Sequence, residues 1–380
     1  MVSLSVMISS AAQFALNSYP PVIPDIMNEF GLSYSEAGLL MSLLSIMGIF
    51  LAVPAGILVI RWGLKRVGGL GLVVSTIGSG ITFLGPSFIW IEIGRTIIGV
   101  GNVLILITSF SIIPIWFTKD NIGKAMGLKS LDMPLATIIA LNLVPILVNA
   151  FEWRISFLVT TVILIFVTAM FFLLFKEGSS PKQQRFPIES LKNKQIWLLG
   201  IIWGFFNMGI IAYVTWAGIF FIEMRGLPIN LSFFIVSAVM LMVIPFGPTA
   251  GILSDKFGRK KFVMMSSLIV AISFLLIPSL PYPMMLLPVI TLSVSAAFLP
   301  SPIFSLQSKV LPSGNAGVSF GVSMIFSSLG ITVGPYLVGL TRDISTGMFP
   351  VFLVMSIFVF LAFMFTFLIK DKPTCGFGFN

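Results

Sequence analysis

Twelve long apolar runs joined by short polar segments constrain this chain more than any other feature. The hydrocarbon core of a bilayer is about 30 Å thick and takes roughly 20 residues of helix to cross. Runs of that order lie near residues 4–24, 35–60, 67–85, 88–112, 125–148 and 154–175, then near 196–222, 232–254, 262–280, 283–309, 317–340 and 346–370. Composition agrees, since 57% of the 380 residues are hydrophobic and 9% charged, whereas soluble domains carry about 25% charged residues. A soluble multidomain protein is excluded, and the lipid bilayer is the first partner implied.

The opening stretch, MVSLSVMISSAAQFALNSY, lacks the charged start and small-residue cleavage site of a secretion signal, so it reads as the first span. Pro20, Pro21 and Pro24 are expected to break or kink that helix near its far end. The lone cysteine, Cys375, follows the last apolar run and histidine is absent, which leaves no disulfide framework and no common Cys/His metal site. No metal or cofactor is expected. A nucleotide-binding loop of the form G-x-x-x-x-G-K-[ST] is also missing, so the expected energy source is an ion or substrate gradient.

One long polar stretch, KEGSSPKQQRFPIESLKNKQ at residues 176–195, has the composition of a solvated linker. It divides the chain into an expected first bundle over 1–175 and a second over 196–370, followed by a tail at 371–380. The basic residues alternate with these joints. Arg61, Lys65, Arg66, Lys119, Lys124, Lys176, Lys182, Arg185, Lys192, Lys194, Lys256, Arg259, Lys260, Lys261, Lys309, Lys370 and Lys372 fall on one side, and only Arg154, Arg225 and Arg342 on the other. The positive-inside rule then places both termini and the linker in the cytoplasm of a multi-pass cell-membrane protein. The net charge of +9 is thereby mostly topology, and no nucleic-acid partner is implied.

Residues 251–261, GILSDKFGRKK, repeat the pattern of residues 56–66, GILVIRWGLKR. Gly56 matches Gly251, Arg61 matches Lys256 and Gly63 matches Gly258, each 195 residues apart, and both copies close the second span of a six-helix unit. Internal repeats of this kind mark the two halves of membrane carriers. Here the chain resembles the major facilitator superfamily, whose signature runs roughly G-x-L-x-D-R-x-G-R-R/K. Gly251, Leu253, Asp255, Lys256, Gly258, Arg259 and Lys260 match it, while the first copy has Ile60 in place of the acid and Leu64 in place of a base. Arg95-x-x-x-Gly99-x-Gly101, Trp153-Arg154 with Phe157, and Gly330, Gly334, Pro335 and Gly339 resemble further motifs of the fourth, sixth and eleventh helices. The resemblance implies twelve transmembrane helices in two pseudo-symmetric six-helix bundles, lined centrally by the first, fourth, seventh and tenth. It also implies a conformational latch at Asp255 and Arg259, weakened in the first half. The fifth span, MGLKSLDMPLATIIALNLVP, lacks the glycine-rich antiporter motif of many drug-proton exchangers.

Ionisable groups are costly inside a bilayer and therefore point to water-filled cavities or partners. Away from the span ends there are four clear cases: Glu92, Arg95, Lys129 and Asp132. The i,i+3 spacing sets Glu92 beside Arg95 and Lys129 beside Asp132, which makes each couple either a self-neutralising pair or part of a site. Arginine suits a carboxylate or other oxyanion, and a carboxylate poised by burial and a basic neighbour suits proton exchange. Polar and aromatic candidates to complete the site are Gln13, Asn17, Asn102, Trp203, Asn207, Tyr213, Trp216, Ser305 and Gln307, with helix packing as the alternative role for each.

The expectation is a secondary carrier without enzymatic activity that moves a small organic anion together with a proton. Drug or other small-molecule efflux is the alternative carrier reading, and a non-transporting sensor of the same fold is a third.

Overall fold

The computed structural model describes residues 1–116, 122–176, 191–310 and 316–369. The chain runs through α1 (Val2–Asn17), a 3-10 turn (Pro20–Val22), α2 (Ile23–Phe30), α3 (Tyr34–Trp62), α4 (Leu64–Leu84), α5 (Phe88–Trp116), α6 (Ile122–Lys129), α7 (Asp132–Ala150) and α8 (Ile155–Leu174). The second half follows as α9 (Lys194–Arg225), α10 (Ile229–Phe257), α11 (Arg259–Ser279), α12 (Leu286–Phe298), α13 (Pro300–Val310), α14 (Ala316–Ile344) and α15 (Phe349–Thr366). Eleven described segments are long and apolar enough to span a bilayer. The first span is a special case, because α1 is only 16 residues long.

Its shortness follows from the prolines. Pro20 and Pro21 have no backbone N–H to continue an i→i−4 ladder, so α1 stops at Asn17 and the chain passes through the 3-10 turn into α2. Two further spans are interrupted where the apolar pattern alone gives a single run: the fifth at Ser130 and Leu131, and the tenth at Leu299, just before Pro300. α2 ends on Gly31 at φ +64°, after which Ser33 and Glu36 form a reciprocal capping box that starts α3.

The repeated string has a matching backbone. Gly63 closes α3 at φ +83° and Gly258 closes α10 at φ +100°, conformations that a Cβ atom disfavours. The next helix begins immediately in both places, so the sharp bend between second and third helices of each half depends on the same glycine.

In the first bundle α5 packs on α1, α3 and α4, while α7 and α8 pack on α1; in the second, α9 packs on α14 and α15, and α12 on α10 and α11. Among the described residues two long helix pairs join the bundles, α3 with α14 and α7 with α10, and the 3-10 turn also meets α9. Lipid supplies no hydrophobic drive between helices, so such seams rely on small residues and hydrogen bonds. A Cβ on Gly38 would lie 2.7 Å from the Pro335 carbonyl oxygen, and Gly339 is pressed as closely on Tyr34.

These contacts are confined to the end remote from the linker. Along α3 and α14 they run from Tyr34 with Gly339 to Gly48 with Ser328. The next glycines on the same faces, Gly56 and Gly321, have nothing within 4 Å of a Cβ. Between α7 and α10, Asn149 meets Asn230 at 3.3 Å and Asn142 meets Ser237 at 3.2 Å, whereas Leu135 and Ile244, farther along, are exposed. The halves close at the far end and part toward the linker end, leaving a cleft between them.

Candidate functional site

Arg95 sits on α5 with no exposed surface. Its Nε donates to the Leu40 carbonyl at 3.3 Å, and one terminal nitrogen donates to the Ala15 carbonyl at 3.2 Å. The other meets the Met41 sulfur at 3.6 Å, and the guanidinium lies 4.5 Å from the Tyr19 ring centre. Ala15 belongs to the last turn of α1, whose carbonyls lack helical partners because the prolines end the helix there. A cation at a helix C-terminus is also favoured by the helix dipole. The early end of α1 thus creates the acceptor that Arg95 fills, tying α1, α3 and α5 together. Glu92 does not join it: among the described residues Arg95 forms no ion pair, and Glu92 stays half-buried. The i,i+3 spacing permits that contact, but Arg95 turns inward to the two carbonyls instead.

Lys129 and Asp132 do meet, with Nζ 2.5 Å from Oδ2 and side chains 2% and 7% exposed. Lys129 ends α6 and Asp132 begins α7, so the pair straddles the break in the fifth span. The cation is at a helix C-terminus and the anion at an N-terminus, both favoured by the dipoles. The Phe110 ring of α5 lies 4.1 Å from the ammonium, and the Ser10 hydroxyl of α1 donates to the Asp132 carbonyl at 3.4 Å.

The remaining candidates do not gather into one cluster. Asn102 accepts from Ser75 at 3.3 Å and donates to the Ala12 carbonyl at 3.1 Å, joining α5 to α4 and α1. Asn17 donates to the Gln13 carbonyl and Asn207 to the Trp203 carbonyl, both within their own helices; the Gln13 side chain itself is half-buried. Tyr213 is turned toward Phe274 of α11, with its buried hydroxyl unpartnered. Trp216 donates to the Pro335 carbonyl at 2.8 Å, serving the far-end seam. Gln307 bonds Ser323 of α14 at 2.5 Å, and Trp203 packs on Phe206 and Phe304, with Ser305 half-buried nearby on α13.

The signature loops make no hydrogen bond or ion pair between halves among the described residues. Asp255 pairs with Arg259 four residues on, and Lys260 donates to the Phe367 and Ile369 carbonyls at the end of α15. Lys256 lies 5.5 Å from the ring of its neighbour Phe257, Gly251 sits against Ser301, and Arg61 is exposed. Lys119, Lys182, Arg185, Lys370, Lys372 and Cys375 lie outside the described residues, as does most of the expected linker.

The reading from sequence omits a polar network at the far end. Both oxygens of Asp343, in the last turn of α14, accept from the backbone N–H groups of Tyr34 and Ser35, each at 2.8 Å. Tyr34 donates its hydroxyl to Glu223 at 2.6 Å, and Glu223 pairs with Arg342 at 3.2 Å. One half thus caps a helix of the other. The S-x-x-E pattern at Ser33 marks the helix start, but nothing local to it announces a capping acid some three hundred residues away.

A second far-end cluster lies within the first half. Glu29 takes the Trp153 indole N–H at 2.6 Å and two guanidinium bonds from Arg154, and Phe157 packs edge-on to Trp153. The Arg154 hydrogen bond holds the Glu29 carboxyl below its ordinary value near 4.5, against a smaller opposing effect of burial.

Paired helical bundles, a repeated glycine-bend signature and a cleft closed at one end define a membrane carrier fold. The chain belongs to the Major Facilitator Superfamily, whose profile matches residues 2–335 and 231–375. It is similar to a hexuronate transporter of Bacillus subtilis, 24% identical over 237 residues, covering 59% of this chain and 55% of that protein. A probable nitrate transporter of Staphylococcus epidermidis is 24% identical over 359 residues, covering 90% of this chain and 89% of its own length. Among solved structures, a bacterial homolog of the human lysosomal transporter Spinster in an inward-facing, occupied conformation superposes with a TM-score of 0.80 at 15% identity, over 97% of this chain and 95% of that one. A D-xylose-proton symporter superposes with a TM-score of 0.80 at 15% identity, over 96% of each chain. At that identity the structures carry the fold alone.

Proposed function

We propose that the protein moves a small organic anion together with a proton by alternating access, with its termini on the cytoplasmic side of the cell membrane. The observation that carries this reading is the buried Lys129–Asp132 pair. A base and an acid held out of water offer an anion a cation and a proton a carboxylate, and intramembrane ionisable groups mark such pathways. The names of the relatives, hexuronate and nitrate transporters, support an anionic cargo. Asp132 is the proton carrier in this reading, and the loop basic residues set the orientation, so the open cleft faces the cytoplasm.

The test is uptake into proteoliposomes of glucuronate, nitrate, and neutral and cationic solutes, with and without an inward proton gradient. Saturable anion uptake stimulated by the gradient is expected. Flux confined to neutral or cationic solutes removes the anion assignment and favours general small-molecule efflux, a reading that the missing antiporter glycines of the fifth span otherwise disfavour.

A further inference from the structure

We infer that the anion binds at Lys129 by replacing Asp132 as its counter-ion, so that proton and anion exchange places at a single buried pair. This rests on the proposed anion–proton function and specifies its site and stoichiometry. In the closed pair, Lys129 is already neutralised. An anion that displaced an ionised Asp132 would leave a carboxylate buried without a partner, which is strongly unfavourable. A proton added to Asp132 while Lys129 had no anion would strand a buried ammonium, with the same penalty. Both ligands together preserve neutrality: the proton from solution bonds to an Asp132 carboxyl oxygen, and the anion takes the place of that oxygen at Nζ. Coupling is thereby obligatory at the pair itself, one proton for each monoanion.

The local fold suits the exchange. The break at Ser130 and Leu131 lets the two side chains part without unwinding a helix interior. No side chain caps the N-terminus of α7, so an oxyanion drawn to Lys129 also meets a helix end that favours negative charge. Phe110, 40% exposed, is the apolar cover over the ammonium. No other described ionisable group is in contact with the pair. α1, α8 and the 3-10 turn carry none. On α10, Asp255 is paired with Arg259, and Lys256 lies at the same helix end. On α5, Arg95 is engaged with α1 and α3, and Glu92 lies one turn beyond it toward the far end. Arg95 differs in kind, because it has no acid to release and so offers no link to a proton.

The experiment uses the full-length protein in proteoliposomes with labelled glucuronate and nitrate, an entrapped pH indicator and a potassium diffusion potential. Wild type is expected to take up one proton per monoanion and to accumulate it about tenfold per pH unit, with no response to membrane potential. Asp132→Asn, which imitates the protonated acid, loses proton-driven accumulation and makes the remaining anion counterflow independent of pH. Lys129→Gln loses counterflow while its thermal midpoint in detergent reports whether it folds. Gradient-driven accumulation by Asp132→Asn, full counterflow by Lys129→Gln, or potential-driven monoanion uptake by wild type overturns the exchange while leaving anion carriage standing. The last of these needs no variant. Absence of any wild-type anion flux overturns the parent reading, and this one with it.

Discussion

Arg95 shows how far a single residue can be read from sequence. Its cost inside a bilayer marks it as important, but the pattern does not reveal that its partners are carbonyls, since no side-chain identity encodes a backbone acceptor. The proline run that ends α1 was the available clue. Arg95→Ala removes both of those hydrogen bonds, and hydrogen bonds to a charged group are worth about 1.5–3 kcal/mol each. A large drop in thermal midpoint in detergent is expected, with partial recovery in Arg95→Lys, which restores the charge without the planar fork. Glu29 offers a pH prediction. Its carboxyl is depressed in the folded state by Arg154, so its contribution is fully present above the ordinary value near 4.5 and is lost as pH falls through the lowered one. The pair is partly exposed, so solvent screening holds the effect to at most about 1 kcal/mol. Thermal melts of wild type and Glu29→Gln between pH 7 and 3 are expected to converge at the acid end.

At the scale of elements, the long spans were legible because hydropathy over about 20 residues is a strong, local pattern. The breaks were not equally so. Pro20 and Pro21 announce the end of α1, whereas the interruption between Lys129 and Asp132 carries only the scattered signals of Gly127, Ser130 and Pro134 within an apolar run. The glycine bends were readable through repetition: Gly63 and Gly258 occupy matching places and both have positive φ. Gly258→Ala forces a Cβ into that conformation, for which about 1–3 kcal/mol is expected. Gly247→Ala, which keeps ordinary helical geometry with only Val243 at 3.6 Å, is the control. Chemical denaturation of the two variants should separate them clearly.

For the whole molecule, the resemblance read from the motifs implied two bundles, but not which end is closed, because that depends on contacts between residues hundreds of positions apart. Asp343 is the clearest of these, capping α3 from the opposite half. Loss of a helix cap costs about 0.5–2 kcal/mol, so Asp343→Ala is expected to raise the population open at the far end by roughly 2- to 30-fold. Ser42, whose hydroxyl donates to the Thr332 carbonyl across the seam, then reacts faster as Ser42→Cys with a membrane-impermeant maleimide applied from that side; an unchanged rate would show that the cap does not hold the seam. Arg95 has a consequence of another kind. It is a full charge with no counter-ion among the described residues, placed on the closed side of the cleft. In the proposed alternating-access cycle the barrier moves from one end to the other, and the voltage drop moves with it and sweeps past that fixed charge. A unit charge crossing a tenth of the field at 100 mV is worth about 0.2 kcal/mol. The rate of that cycle, though not the accumulation it finally reaches, therefore responds to membrane voltage even when the cargo carries no net charge.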